Sequence, residues 1–340
     1  MRFDQLAEMT DGTLAGKNVS EHSFTGVSID SRTIRQGELF VAIRGGRVDG
    51  HDYLAKALQR GAAGVMVERR CSLAPIVSSD TAVVSVTDSH EAMLSLATRW
   101  RDRCPAKVIG ITGSNGKTTT KELTFGLLNA VEKGVYRSPG NFNNLYGAPL
   151  SIFGIDESTR VAILELGIST KDEMPKLAKL VHPDLILITN VGPSHLEFFG
   201  TVEAVAHAKL ELARQASPDV PVVINADDAL LVREATKLKR PLVTFGINAP
   251  ADFVPERISP LSLGGSEVTI GGKQFRVPLI GLHHVSNLLA AYAATATLGY
   301  DFESIDTSTI AFATAPMRGQ LVEKNGITFF NDAYNANPAS

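Results

Sequence analysis

The chain has 340 residues, 44% hydrophobic and 20% charged, with a net charge of −3, the composition of an ordinary globular protein of two or three domains. That balance argues against a nucleic-acid or membrane-surface binder, so an anionic ligand must be held by local groups rather than by a global field. Residues 1–20 lack the basic and apolar regions of a signal peptide, no run approaches the ~18 apolar residues of a membrane span, and Cys71 and Cys104 form no disulfide or metal framework. A cytoplasmic location is expected.

Residues 1–104 read as a first α/β unit. Strands are expected over 24–29, 39–43, 64–68 and 82–86, with a helix over 51–60 and a second one capped by Asp88 and running to about Arg101. Its polar junctions, Asp30-Ser31-Arg32 and Gly45-Gly46-Arg47-Val48-Asp49-Gly50-His51-Asp52, suit turns as well as a binding site, because Gly and Asp are turn residues first. Pro105 marks a boundary. Beyond it come a strand ending at Ile109, a helix over 121–131, strands over 161–167 and 184–189, helices over 170–180 and 202–213, and further strands at 220–224 and 242–245. Strands alternating with helices imply a mostly parallel sheet covered on both faces. Residues 258–280 change to short alternating runs between glycine pairs, a small antiparallel segment, followed by an Ala-rich helix over 284–298 and a last strand over 327–330. The fold class is therefore α/β.

Between the strand at 109 and the helix at 121 lies Gly110-Ile111-Thr112-Gly113-Ser114-Asn115-Gly116-Lys117-Thr118-Thr119. Glycines let backbone N–H groups curl around an anion, and a helix N-terminus adds favourable charge. Ile111 stands where the general G-x-x-x-x-G-K-[ST] pattern has glycine, so this is a variant phosphate loop; an ordinary glycine turn is the alternative. Lys117 suits terminal phosphates and the Thr118 hydroxyl suits Mg²⁺. Glu165 interrupts an apolar strand near its end, where nucleotide-hydrolysing folds hold Mg²⁺, unless it is a solvated strand-end carboxylate. By spacing alone His195 is a loop histidine and Lys209 a solvated helical lysine.

Together these residues resemble the Mur ligases, ATP-dependent amide-forming enzymes of peptidoglycan synthesis. The resemblance rests on four segments: Asp30-Ser31-Arg32 with 37–42 and 49–52, the loop at 110–120, Gly140-Asn141-Phe142-Asn143-Asn144, and Asp332-Ala333-Tyr334-Asn335-Ala336-Asn337-Pro338. The last two point to the type that adds D-alanyl-D-alanine to UDP-N-acetylmuramoyl-tripeptide. The resemblance implies a UDP-sugar domain over 1–104, a central ATPase over 105–318, and, over 319–340, the opening strand of a C-terminal ligase domain of which most is expected to be missing. Such a chain would bind its substrates and ligate poorly.

The resemblance also implies roles. Gly113, Ser114, Asn115, Gly116, Lys117, Thr118 and Thr119 would bind ATP, with Asn287 at adenine, Asp332 at ribose and Arg318 at phosphate. Lys117, Glu165, His195 and Lys209 would be catalytic. Thr118, Glu165 and His195 would hold Mg²⁺, joined by Lys209 if carbamylated. Ser31, Arg32, Gly46, Asp49 and His51 would surround the uridine diphosphate end, and Asn141 and Asn144 the tripeptide. The family's His-Asn pair before the adenine residue is His283-His284 here. The expected partners are the two substrates, with no nucleic acid and no membrane insertion, and the chain is expected to be a monomer. Two other readings stand beside this one: a sister ligase adding diaminopimelate or lysine, and a nucleotide- and UDP-sugar-binding fragment without catalysis.

Overall fold

The computed structural model describes residues 1–71, 79–313 and 316–335. Ala336, Asn337 and Pro338 of the last motif lie outside them. The chain divides into two compact units, Met1–Cys104 with Ile152–Asp156, and Pro105–Ser151 with Glu157–Ser340.

In the first unit α1 (Phe3–Met9) leads into β1 (Thr13–Ala15), β2 (Val27–Ser28), β3 (Leu39–Val41), α2 (Leu54–Gln59), β4 (Gly64–Glu68), β5 (Ala82–Val86) and α3 (Ser89–Arg103). The sheet order is β1-β5-β4-β3-β2, parallel except for β1. Asp88 caps α3, its carboxylate accepting from the His90 and Glu91 amides, as the sequence predicts. The helix expected over 51–60 opens instead as a 3₁₀ turn, Gly50–Tyr53, capped by Asp49. Leu54 and Ala57 of α2 pack with Phe40, Val65 and Val83 into this unit's core.

The second unit begins with β6 (Lys107–Thr112), α4 (Lys117–Val131), β7 (Val135–Arg137), α5 (Gly147–Ile152, whose last residue belongs to the first unit) and β8 (Val161–Glu165). It continues with α6 (Glu173–Val181), β9 (Leu185–Ile188), α7 (Leu196–Phe199), α8 (Val202–Gln215), β10 (Val222–Asn225), α9 (Ala229–Thr236) and β11 (Leu242–Phe245). All six strands are parallel, in the order β11-β10-β9-β6-β8-β7. The chain runs from β6 to the edge strand β7, returns to β8 and then crosses to β9 on the other side of β6. The sheet therefore has a topological switch at β6, where α/β folds bind ligands beyond the strands' carboxyl ends. The central strands are apolar without alternation because both their faces are covered.

An antiparallel sheet of β12 (Arg257–Pro260), β13 (Ser266–Ile270) and β14 (Lys273–Val277) precedes α10 (Leu282–Thr297). Leu123 and Leu127 of α4, Leu288 and Ala291 of α10, Ile109 and Ile163 of the parallel sheet and Phe275 of β14 share one core. The single strand expected over 327–330 is half of a hairpin, β15 (Gln320–Lys324) with β16 (Ile327–Asn331). Its turn is Asn325-Gly326, both at positive φ (54° and 74°), the Asn-Gly signature of a two-residue hairpin loop. No helix among the described residues is long and apolar enough to cross a membrane.

Candidate active site

The loop at 113–116 lies at the switch point. Gly113 (φ 150°) and Gly116 (φ 81°) have no room for a side chain: a Cβ on the first would collide with Thr189 Oγ1, and on the second with Asn287 Oδ1. The loop is tied to the end of β9. The Asn115 amide donates to Asn190 Oδ1 (3.0 Å), while Thr189 Oγ1 and Asn190 Nδ2 donate to the Asn115 carbonyl (2.5 and 3.2 Å). Ser114 Oγ accepts from the Gly192 amide (2.9 Å) and lies 3.1 Å from Ser194 Oγ. Ser114 and Asn115 thus fix the loop's shape through their own polar groups. Helix α4 starts at Lys117, a turn earlier than its apolar spacing predicts, because Gly116 in the left-handed region ends the loop there without a side-chain cap. The first-turn amides of Lys117, Thr118 and Thr119 are the orphan donors that an anion takes.

Positive charge converges on this loop. Lys117 Nζ donates to the carbonyls of Gly113 (2.9 Å) and Ser114 (3.3 Å), and Lys209 Nζ, from α8, donates to the same Gly113 carbonyl at 2.9 Å. Lys209 is buried, and burial together with the neighbouring Lys117 charge holds its ammonium well below the ordinary lysine range. Burial also lowers Lys117; Glu165 opposes the shift and Arg318 adds to it. His195, at the start of α7 with φ 51°, is exposed and is lowered by partial desolvation and by Lys209 and Lys117.

Three side-chain oxygens at the same edge are buried without a hydrogen-bond partner, Thr112 Oγ1, Thr118 Oγ1 and Glu165 Oε2. Glu165 is only 2% exposed. Its Oε1 accepts from Asn143 Nδ2 (2.7 Å) and its backbone N–H donates to Ser138 Oγ (3.1 Å). Among the described residues no three His, Cys, Asp or Glu side chains converge as a metal cage. A hydroxyl and a carboxylate left over beside a phosphate loop are nonetheless the hard oxygen donors that suit Mg²⁺, which keeps water and phosphate oxygens for its other positions.

Asn287 is buried and accepts from Thr120 Oγ1 (3.3 Å). The rings of His283 and His284 lie 4.0 Å apart. His284 is 5% exposed, its Nδ1 has no partner, and burial with the His283 charge pushes it down to about 3. Asp332 accepts from the Gly319 amide (3.0 Å), and the Arg318 guanidinium lies over the Tyr334 ring at 4.0 Å. Asn141 Nδ2 donates to Tyr334 Oη (3.0 Å), whereas Asn144 Oδ1 accepts from the Tyr146 and Gly147 amides and so starts α5. The asparagine that reaches Glu165 is Asn143, one position before Asn144. Lys121, buried with its ammonium 3.8 Å from Glu165 Oε2, carries no signal in the sequence.

In the first unit the polar junctions are largely satisfied within themselves. Arg32 forms a bidentate pair with Asp30 (2.8–3.2 Å), Ser31 is buried, and Gly46 has open space around it. His51 Nε2 accepts the Glu68 amide (3.0 Å), which leaves the proton on Nδ1 to donate to Asp49 Oδ1 at 2.6 Å. Arg44 closes the group on Asp49 at 2.9 Å. Burial works against the Asp49 carboxylate, but the His51 and Arg44 hydrogen bonds prevail and hold it at about 2.

The chain matches the model of the Mur ligase middle domain over residues 111–295 and that of the Mur ligase family catalytic domain over 23–101. It is 35% identical over 338 residues to the UDP-N-acetylmuramoyl-tripeptide–D-alanyl-D-alanine ligase of Bacillus subtilis, covering 98% of this chain and 72% of that protein. With the Escherichia coli ligase of the same name the identity is 31%, over 99% of this chain and 74% of that protein. A crystal structure of MurF from Acinetobacter baumannii superposes with a TM-score of 0.86 at 28% identity, over 99% of this chain and 74% of that one. The ADP complex of Thermotoga maritima MurF does so at 0.76 and 30%, over 92% and 72%. With a phosphate loop at the switch of a parallel sheet and these relatives along nearly its whole length, the chain belongs to the Mur ligase family.

Proposed function

We propose that the chain serves ATP-dependent ligation of D-alanyl-D-alanine to UDP-N-acetylmuramoyl-tripeptide, a step of peptidoglycan precursor synthesis, acting as a cytoplasmic monomer. The observation that carries the reading is that Thr118 Oγ1 and Glu165 Oε2 are buried without a hydrogen-bond partner beside a loop on which two lysines converge. Residues 1–104 would hold the UDP-sugar, with Ser31, Arg32, Gly46, Asp49 and His51 around the diphosphate end, and residues 105–318 the nucleotide. Residues 319–340 would open the ligase domain.

The reaction joins anions, so charge neutralisation is its central demand. The α4 amides and Lys117 would hold the β- and γ-phosphates, with Lys117 leaving the Gly113 carbonyl for them. The tripeptide carboxylate attacks the γ-phosphorus, the bond to ADP breaks, and an acyl phosphate forms. The dipeptide amine then adds to its carbonyl carbon and loses a proton, and inorganic phosphate leaves with the C–O electron pair. Mg²⁺, when held by Thr118 and Glu165 with His195 near a second position, supplies Lewis-acid neutralisation of the phosphate charge. Lys209 fits that set only as an anion. Its depressed ammonium supplies the neutral amine that adds CO₂ and releases a proton to become a carbamate, an oxygen ligand. Asn287, Asp332 and Arg318 would hold the base, ribose and phosphate, and Asn141 and Asn144 the peptide end.

Incubating the chain with ATP, Mg²⁺, UDP-N-acetylmuramoyl-tripeptide and D-Ala-D-Ala and weighing the products tests this. UDP-muramoyl-pentapeptide formed slowly and only with the dipeptide present is the expected result. Transfer of diaminopimelate or lysine to the UDP-muramoyl-dipeptide would replace the reading with the sister ligase. Nucleotide binding without either product would replace it with the binding-only one.

A further inference from the structure

We propose that Lys121 is a positioning residue that sets Glu165 against the phosphate loop through the segment 138–143; the proposal rests on the ligase reading for its use of Glu165. Lys121 lies one helical turn beyond Lys117 on α4, and its side chain is completely buried. Its ammonium donates to the carbonyls of Ser138 (2.9 Å) and Gly140 (2.7 Å) and stands 3.5 Å from Glu122 Oε1 and 3.8 Å from Glu165 Oε2. Burying an ammonium costs several kcal/mol unless charge and hydrogen bonds compensate, so a position that served packing alone would be filled at less cost by methionine or leucine.

What the ammonium grips is the segment that holds Glu165. Ser138 donates its amide to the Ile163 carbonyl and accepts the Glu165 amide on Oγ. Five residues on, Asn143 donates to Glu165 Oε1 and takes the Gly167 amide on its carbonyl. Between the two, Gly140 turns the chain at φ 49°, and its carbonyl meets Lys121. Glu165 is thus positioned by one residue of the phosphate-loop helix and two residues of one turn. Lys121 connects the nucleotide side, which begins at Lys117 on the same helix, to the carboxylate that Mg²⁺ would use. Glu122 faces the ammonium with one oxygen (3.5 Å) and pairs with Arg137 through the other (3.1 Å), so its charge helps to compensate the buried ammonium while the carbonyl contacts of Lys121 act on the segment that holds Glu165.

The test is Lys121→Met on the whole chain, read by amide hydrogen exchange and by ADP titrations with and without MgCl₂. The expected result is faster exchange over 138–146, by about tenfold, with the 113–118 amides unchanged. ADP affinity without Mg²⁺ stays as it was, and the gain that Mg²⁺ brings falls by about tenfold, as for other residues that orient a metal ligand. Equal changes in both ADP affinities, or loosening spread through the second unit, would overturn the proposal in favour of a folding strut. If Lys121→Met does not fold, Ser138→Ala removes only the acceptor of the Glu165 amide and keeps both carbonyls. A selective, smaller loss of the Mg²⁺ gain supports the proposal, and an unchanged gain overturns it. Neither arm uses a muramoyl substrate, so a chain that fails to ligate yet shows these changes refutes the ligase reading and leaves the role of Lys121 standing.

Discussion

Lys117 and Lys209 come from different helices and donate to the same carbonyl oxygen, that of Gly113, each at 2.9 Å. Two ammonium groups meeting on one acceptor in a buried site repel strongly. The conflict falls on Lys209, the more buried of the two, whose proton is held well below the ordinary range by burial first and Lys117 second. A phosphate arriving at the loop would draw Lys117 toward itself and leave Gly113 to Lys209. On the ligase reading the pair would mark the place where charge is rearranged when phosphate binds.

The first prediction concerns stability. In the unfolded chain Lys209 keeps its proton up to about pH 10.5, whereas in the fold it gives it up at much lower pH. Between the two values the unfolded chain binds the extra proton, so stability rises with pH across that window. Lys209→Met in CO₂-free buffer should raise Tm at neutral pH, by roughly 2–4 °C for each kcal/mol recovered, and the gain should close as pH approaches 10.5. A gain independent of pH would mean that packing, not charge burial, is responsible. In ligation the same variant should lose about a hundredfold in kcat, and bicarbonate with a Lys209→Ala variant and a short amine should restore part of it if the carbamate is used.

Glu165→Gln tests the leftover carboxylate oxygen. Glutamine keeps a carbonyl oxygen for Asn143 but removes the charge that faces the buried Lys121 ammonium at 3.8 Å, so the fold should lose some stability while staying folded. Mg²⁺ should cease to strengthen ADP binding, and ligation should fall by about 10²–10³-fold. Calorimetric ADP titrations with MgCl₂ and with EDTA check it: an undiminished Mg²⁺ effect would remove Glu165 from the metal site.

The loop and Glu165 were legible in the sequence for a physical reason. Only glycine fits at 113 and 116, against Thr189 and Asn287, and a lone acid in an otherwise apolar strand has few structural uses. Lys121 was not legible, because its main partners are backbone carbonyls and a buried lysine in a helix has the same spacing as a solvated one. Asn143 and Asn144 differ only in which one the turn aims at Glu165, which no pattern encodes. The β15–β16 hairpin, by contrast, is written in Asn325-Gly326, the turn signal that precedes the apolar run at 327–330. The junctions around Asp30 and Asp49 suited turns and binding alike, and the structure shows most of their polar groups engaged locally.

His51 ties the Asp49 turn to the end of β4. Replacing it with alanine strips the Glu68 amide of its acceptor and Asp49 of a donor, a loss of about 1–3 kcal/mol. The pH dependence is fixed by Asp49, held at about 2 against an ordinary 3.8. A depressed carboxyl contributes stability above pH 3.8 and loses it as pH falls through 2. The His51→Ala deficit in Tm should therefore be full above pH 4 and narrow toward pH 2. A deficit constant down to pH 2 would show that the Asp49 hydrogen bond contributes nothing and the Glu68 amide everything.

His284 has the opposite kind of exposure to acid. It is a base buried without a partner on Nδ1, pushed from 6.5 down to about 3 by burial and by the adjacent His283 ring. Between those values the unfolded chain carries a proton that the folded one refuses, so its neutral form supports the fold fully above pH 6.5 and support drains away as pH falls through 3. Asparagine cannot titrate in that range and keeps a donor and an acceptor. His284→Asn should flatten the decline of Tm between pH 6.5 and 3 while leaving Tm above pH 7 within a few degrees of the parent. A variant whose Tm falls just as steeply over that interval would assign the acid sensitivity to other groups, of which His283, 4.0 Å away with a burial-lowered ring of its own, is the next to replace.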